Sequence, residues 1–169
     1  MAVAWVIGLA VISGCARLTE DWGAARQTEA SRFCALSGSS EHRVRHQIDD
    51  GTSVLLNAAV TLLGEGPGHS TRIFQLGSTR LSFRYRIAET ADYWASQRSN
   101  GLRLTVDGVD AELFAFRDWS GHRRFALLPI ARPDLPVAKI SQDDEDFDDA
   151  ACALKIMSSI RWGKGERSG

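Results

Sequence analysis

An excess of either charge is missing from this chain. Its 20 lysines and arginines stand against 21 acids, for a formal net charge of −1, whereas a general nucleic-acid binder carries a strong basic surplus. Nucleic acid is therefore not an expected partner. Long hydrophobic runs are also scarce: Ala2 to Ile12 is unbroken, yet it falls short of the roughly 20 residues that carry a helix across a bilayer. Proline is limited to four residues, which rules out a collagen-like or proline-rich fibrous chain. Several catalytic signatures are absent as well. There is no Gly-x-Ser-x-Gly elbow for a serine hydrolase, and the Gly64 to Ser70 stretch lacks the lysine of a phosphate-binding loop. The pair His42 and His46 encloses Arg-Val-Arg rather than the glutamate of a zinc protease, without an evident third ligand. No catalytic residue, cofactor or metal site is expected.

What is present is the composition of one folded unit. With 44% hydrophobic and 24% charged residues over 169 positions, the chain can bury a sizeable core. Its most legible stretch is Gly101 to Ala115. If Asp107-Gly108 forms a two-residue type I′ turn, Val106 faces Val109, Leu104 faces Ala111 and Leu102 faces Leu113 on one side. Thr105 then faces Asp110 and Arg103 faces Glu112 on the other. One face is apolar and the other carries an opposite-charge pair, which defines a half-buried hairpin.

The rest of the chain reads largely as β. Val44, His46 and Ile48 alternate with polar residues before an Asp50-Gly51 turn, and Val54 to Leu63 reads as a buried strand. Gly64 to Gly68 is a loop. Arg72 to Leu76 and Thr79 to Ile87 flank Gly77-Ser78, a type II′ pair, and Ala88 to Asn100 is a longer connection with room for a helical turn. A second hairpin about Ser120-Gly121 would set Asp118 opposite Arg123, Phe116 opposite Phe125 and Phe114 opposite Leu127. That register throws its aromatics onto the face opposite Leu113, so a bulge or bend near Leu113-Phe114 is expected. Pro129, Pro133 and Pro136 should end the sheet region. Beyond them a helix is expected, with Phe147, Ala150, Ala151, Leu154 and Met157 on one arc and Cys152, Ile156 and Ile160 on another. Acids from Asp143 to Asp149 lead it, Lys155, Arg161 and Lys164 follow, and Gly163 is its expected stop. The expected fold class is α+β, mainly antiparallel β: a curved meander sheet, sandwich or open barrel with a C-terminal helix packed on it.

The N-terminus supplies an address. Its apolar run has the length of a signal-peptide core and ends in Ile12-Ser13-Gly14-Cys15. This resembles the lipobox of bacterial lipoproteins, although the segment before the run holds no lysine or arginine. The resemblance implies a signal peptide over 1–14, lipidation of Cys15, and export. Ala16, where an aspartate would imply inner-membrane retention, implies the periplasmic side of the outer membrane; a soluble periplasmic or secreted protein is the alternative. Residues 15–35 then form a tether and short N-terminal helix with Trp22 and Phe33 as apolar anchors. Residues 36–163 form a single β-rich domain, and 164–169 a tail. In an oxidising compartment, Cys34 and Cys152 are the remaining pair, and a disulfide between them is expected.

The function expected from these features is that of a non-catalytic binding or structural module of the envelope, held to the membrane by its lipid. An envelope hydrolase with an unrecognised site is a competing expectation. A basic sheet face formed by Arg80, Arg84 and Arg86, extended by Arg103 if the strands are neighbours, would suit an anionic glycan, lipid head groups or an acidic envelope protein. Asp144, Asp146 and Asp148 have the alternate spacing of calcium-loop ligands, but Asp149 and Lys155 replace the required glycine and glutamate. A solvated acidic cap is the better reading. Asp118-Trp119-Ser120-Gly121-His122 is similar to the Ser-Gly loop of β-barrel lipoprotein lysozyme inhibitors, without their nearby tyrosine. That likeness implies an inhibitor of a cell-wall hydrolase acting through Ser120 and Gly121.

Overall fold

The structure is a computed structural model that describes residues 22, 31–34, 43–49, 51–66, 71–86, 101–143 and 145–163. The strands are β1 (Arg43–Gln47), β2 (Ser53–Asn57), β3 (Thr61–Glu65), β4 (Thr71–Leu76), β5 (Thr79–Arg86), β6 (Leu102–Val106), β7 (Val109–Arg117), β8 (Arg123–Pro129) and β9 (Val137–Gln142). The helices are α1 (Ser31–Cys34) and α2 (Ala150–Met157). Strands β1 and β2 make a two-stranded sheet, and the other seven run in the order β3-β4-β5-β9-β8-β7-β6. Every neighbouring pair among the described strands is antiparallel and neither sheet closes. The C-terminal helix packs on the sheet.

The β6–β7 hairpin has the register its residues dictate, from Leu102 opposite Leu113 to Val106 opposite Val109. Both turn residues take positive φ, 50° at Asp107 and 76° at Gly108, as a type I′ turn requires. Thr105 donates its hydroxyl to Asp110 at 3.2 Å. At the β4–β5 turn only Gly77 of its pair has positive φ, consistent with type II′.

Other expectations need correction. Val54 to Leu63 is not one strand, because the Asn57 side chain accepts the Ala59 N–H and the Val60 N–H bonds to the Asn57 carbonyl. The chain turns there and moves from one sheet to the other. Around Ser120-Gly121 the loop has three residues between Asp118 and His122, with Gly121 in the left-handed region at φ 85°, the three-residue hairpin geometry rather than the two-residue one. This slides the pairing by one residue: Phe116 lies opposite Arg124, Ala115 opposite Phe125 and Leu113 opposite Leu127. The sheet then needs no bulge at Leu113-Phe114. Leu113, Ala115, Phe125 and Leu127 face the main core, while Phe114, Phe116, Ala126, Leu128 and Val137 form a second buried cluster. A register shift is found instead between Leu62 and Gly64 on β3.

The prolines do not end the sheet either. Residues Val137–Gln142 form β9, a central strand inserted between β5 and β8. The helix is shorter than its apolar pattern, starting after Asp149, whose carboxylate accepts the Cys152 N–H at 2.8 Å, and ending at Ser158. Ala150, Cys152, Ala153, Ile156 and Met157 are its buried residues. Gly163 is not its stop; the chain first returns to pair Arg161 with Ser53. Trp22 and Phe33 are apolar anchors as expected: Phe33 is fully buried and Trp22 packs edge-on against Phe125, ring centroids 5.8 Å apart.

Candidate recognition loop

The loop joining β7 to β8 is built around one carboxylate. Asp118 Oδ1 accepts the Ser120 N–H at 3.0 Å, the Ser120 hydroxyl at 2.8 Å and the His122 N–H at 3.0 Å. Its Oδ2 accepts Nε of Arg124 at 2.9 Å. Burial pushes the Asp118 carboxyl up, but the Ser120 hydroxyl, the His122 and Ser120 amides and the Arg124 cation outweigh it, so the group lies below the usual aspartate range. The carboxylate thus stays charged and the loop is locked from within.

Beneath the loop, Arg124 is 5% exposed. Besides Asp118 it donates to the carbonyls of Gln142 at 3.0 Å, Asp143 at 2.9 Å and Glu145. Arginine suits this task because its five donors point in fixed in-plane directions. The acidic stretch that follows β9 is held the same way. Asp146 accepts the Arg123 N–H at 2.6 Å and approaches Arg117 to 3.8 Å, and Asp148 approaches Arg123 to 3.6 Å. Asp146 and Asp148 thus tie this stretch to the loop base, while Asp144 lies outside the described residues.

At the tip of this braced loop stands Trp119, 99% exposed. Ser120 and Gly121 beside it are exposed too, but the Ser120 hydroxyl is already engaged by Asp118 and lies 3.3 Å from Nδ1 of His122. A serine triad needs the histidine between serine and carboxylate. Here the carboxylate holds the serine directly, so these three residues make a structural turn. Ser70 lies outside the described residues.

The basic face is less continuous than its sequence suggests. Arg80 and Arg84 are exposed on β5, and Arg86 continues that strand. Arg84 lies directly opposite Lys139 of β9, a like-charge pair across the strands. Arg103 does not extend the stripe. Three strands separate β6 from β5, about 19 Å at the usual strand spacing, and Arg103 pairs with Glu112 instead. Strands β9, β8 and β7 lie between them, with β9 taking the place beside β5.

Cys34 and Cys152 form a disulfide with Cα atoms 5.6 Å apart, joining α1 to α2. Asp149 stands close to both sulfurs, but it caps α2 and the sulfurs are bonded to each other, which removes them as thiolate ligands. His46 packs edge-on against Phe74 at 5.4 Å, with Nε2 buried and without a hydrogen-bond partner. Burial lowers its pKa. It is a packing histidine, and its fellow His42 lies outside the described residues, as does Cys15 with the segment over 1–14.

Comparison with known protein families, with curated proteins and with solved structures finds no match. Function is accordingly argued from this chain's own residues. Sequence reasoning singled out Ser120 and Gly121, and missed Asp118, Trp119 and Arg124, the groups that build and tip the loop. The signal was an aspartate two residues before a serine at a hairpin end, a pairing that favours side-chain capping of the turn.

Proposed function

We propose that this chain is an exported, lipid-anchored envelope protein that acts as a non-catalytic binding module, with the loop Asp118 to His122 as its recognition element. The observation that carries this reading is a tryptophan exposed over 99% of its surface at the tip of a loop whose turn is closed by internal hydrogen bonds. A large aromatic with only two side-chain torsions, carried on a turn that is already closed, loses little entropy when it docks, and tryptophan is enriched among the residues that dominate binding energy. The address rests on Ile12-Ser13-Gly14-Cys15. The Cys34–Cys152 disulfide agrees with an oxidising compartment such as the periplasm. The outer-membrane assignment follows from Ala16 by the lipoprotein analogy. Inhibition of a cell-wall hydrolase through Ser120-Gly121 is the weaker version of this reading, because the Ser120 hydroxyl is committed inside the loop.

Two linked measurements test it. Cells fed a radioactive fatty acid should label the wild-type protein and leave Cys15→Ala unlabelled; an unlabelled wild type removes the anchor. A photo-reactive phenylalanine at position 119 should give ultraviolet adducts in cells, and the same group at position 80 or 84 should give few. Adducts confined to positions 80 and 84 would move recognition to the basic β5 face.

A further inference from the structure

We propose that Trp119 enters the interfacial layer of the lipid bilayer, giving the domain a second point of membrane contact beside its acyl chains. The inference rests on the lipid-anchored reading and names the loop's ligand as a lipid surface.

Trp22 is packed on Phe125, two positions into β8 from the loop end of that strand. Cys15 precedes Trp22 by seven residues, a span that reaches at most about 25 Å when fully extended. Trp119 precedes Phe125 by six residues, so it lies within about 20 Å of it by the same limit. A lipid on Cys15 therefore leaves the loop end of the sheet within reach of the bilayer.

The chemistry of the tip suits that position. Tryptophan combines a large apolar ring with one N–H donor, and it concentrates at the level of lipid headgroups for that reason. The other two described tryptophans are used inside the fold: Trp22 packs on Phe125 and Trp162 is 6% exposed. Only Trp119 among the described residues is a large hydrophobic side chain left almost wholly bare, the next being Leu62 and Leu63 at 50%. The loop base has no cationic surplus: Arg117 lies near Asp146, Arg123 near Asp148 and Arg124 on Asp118, with Asp143 and Glu145 beside them. Attraction to anionic headgroups is therefore not the driving force. Insertion should therefore be neither strengthened by anionic lipid nor weakened by salt, unlike that of a basic patch.

The test uses the full chain processed and acylated in cells, purified, and placed in phosphatidylcholine vesicles with or without brominated acyl chains. Trp119→Phe isolates the contribution of this one indole, and the exposed position lets that variant fold. The emission removed by the substitution should be blue-shifted relative to a water-exposed tryptophan and severalfold weaker in brominated vesicles, with the same quenching at raised salt. Acylated protein whose Trp119 emission stays that of an indole in water, unquenched, overturns the insertion while leaving the anchor standing. Emission that shifts only when soluble cell-wall glycan fragments are added overturns it in favour of a glycan. A mass spectrum without acyl chains on Cys15 overturns the anchored reading, and the length argument falls with it.

Discussion

Arg124 is the residue on which the loop depends. Its guanidinium is buried, and it satisfies one carboxylate and the carbonyls of Gln142, Asp143 and Glu145. Truncating one member of such a group leaves the others buried without partners, at a cost of about 3–5 kcal/mol for a buried ion pair. Arg124→Met, which keeps the aliphatic stem, is expected to lose about 3 kcal/mol in urea unfolding, and Arg124→Lys should recover only part because an ammonium cannot reproduce the fork. A loss under about 0.5 kcal/mol, the size of an ordinary surface change, would show that the network is not structural. Two titrating groups give this residue scale a pH signature. Asp118 is held below its ordinary range by its donors, so its contribution is present above about pH 4 and is lost as pH falls through its folded value. His46 is also lowered, by burial. The unfolded chain then takes up a proton first, so stability is full above about pH 6.5 and declines as pH falls below it. Urea midpoints measured across pH 4 to 8 should show that upper decline in the wild type and not in His46→Phe.

At the scale of elements, what was legible depended on whether one local rule settled the geometry. The β6–β7 hairpin was readable to the residue, because Asp107-Gly108 admits one turn type and a single-residue slip would have buried Arg103 and Glu112. The β7–β8 hairpin was misread by one step. Ser120-Gly121 fits a two-residue turn equally well, and what selects the longer loop is the Asp118 carboxylate accepting the Ser120 and His122 amides, for which Asp118-x-Ser120 was the one local cue. Strand β9 was hidden because its six residues follow three prolines, and its buried face carries only Ala138 and Ile140 as apolar side chains, with polar Gln142 as the third. With β9 beside β5, three strands lie between Arg103 and the β5 arginines that the sequence allowed to be neighbours. The same holds for Gly163, read as a helix stop. Its real constraint is contact: a Cβ there would lie 2.3 Å from the Cα and carbonyl oxygen of Gly51, in the β1–β2 connection. Gly163→Ala should therefore cost about 1–3 kcal/mol, as overpacking does, and should loosen the Arg161–Ser53 bridge. Amide exchange at Ser53 and Arg161, whose N–H groups each bond across at 2.9 Å, reads this directly; unchanged protection at both would show that the two backbones can part without cost.

For the whole molecule, the decisive tie joins the two ends of the described chain. The Cys34–Cys152 bond spans 118 residues in sequence and fastens α1, with its fully buried Phe33, to α2. Four residues of α1 cannot hold a helix by backbone propensity alone, since isolated helices shorter than about 12 residues are marginal in water. Phe33 and the disulfide must supply what the short helix lacks. By the chain-entropy argument a closed loop of this length stabilises the fold by about 4–5 kcal/mol, with native strain and residual unfolded structure able to reduce the gain. A domain of ordinary stability has only about 5–15 kcal/mol in total, so the bond is a large share of what holds the fold. Urea unfolding of Cys34→Ala/Cys152→Ala should therefore show a fall approaching that amount, and the wild type in strong reductant should behave like the double variant. The Trp22 contact with Phe125 provides a second readout: if the disulfide secures the segment that carries Trp22, its fluorescence should become water-like at a lower urea concentration than global unfolding once the bond is cut. A double variant that loses less than about 1 kcal/mol would mean that Phe33 alone retains the segment. In that case an oxidising compartment would bring the fold little advantage, and the disulfide would no longer support export.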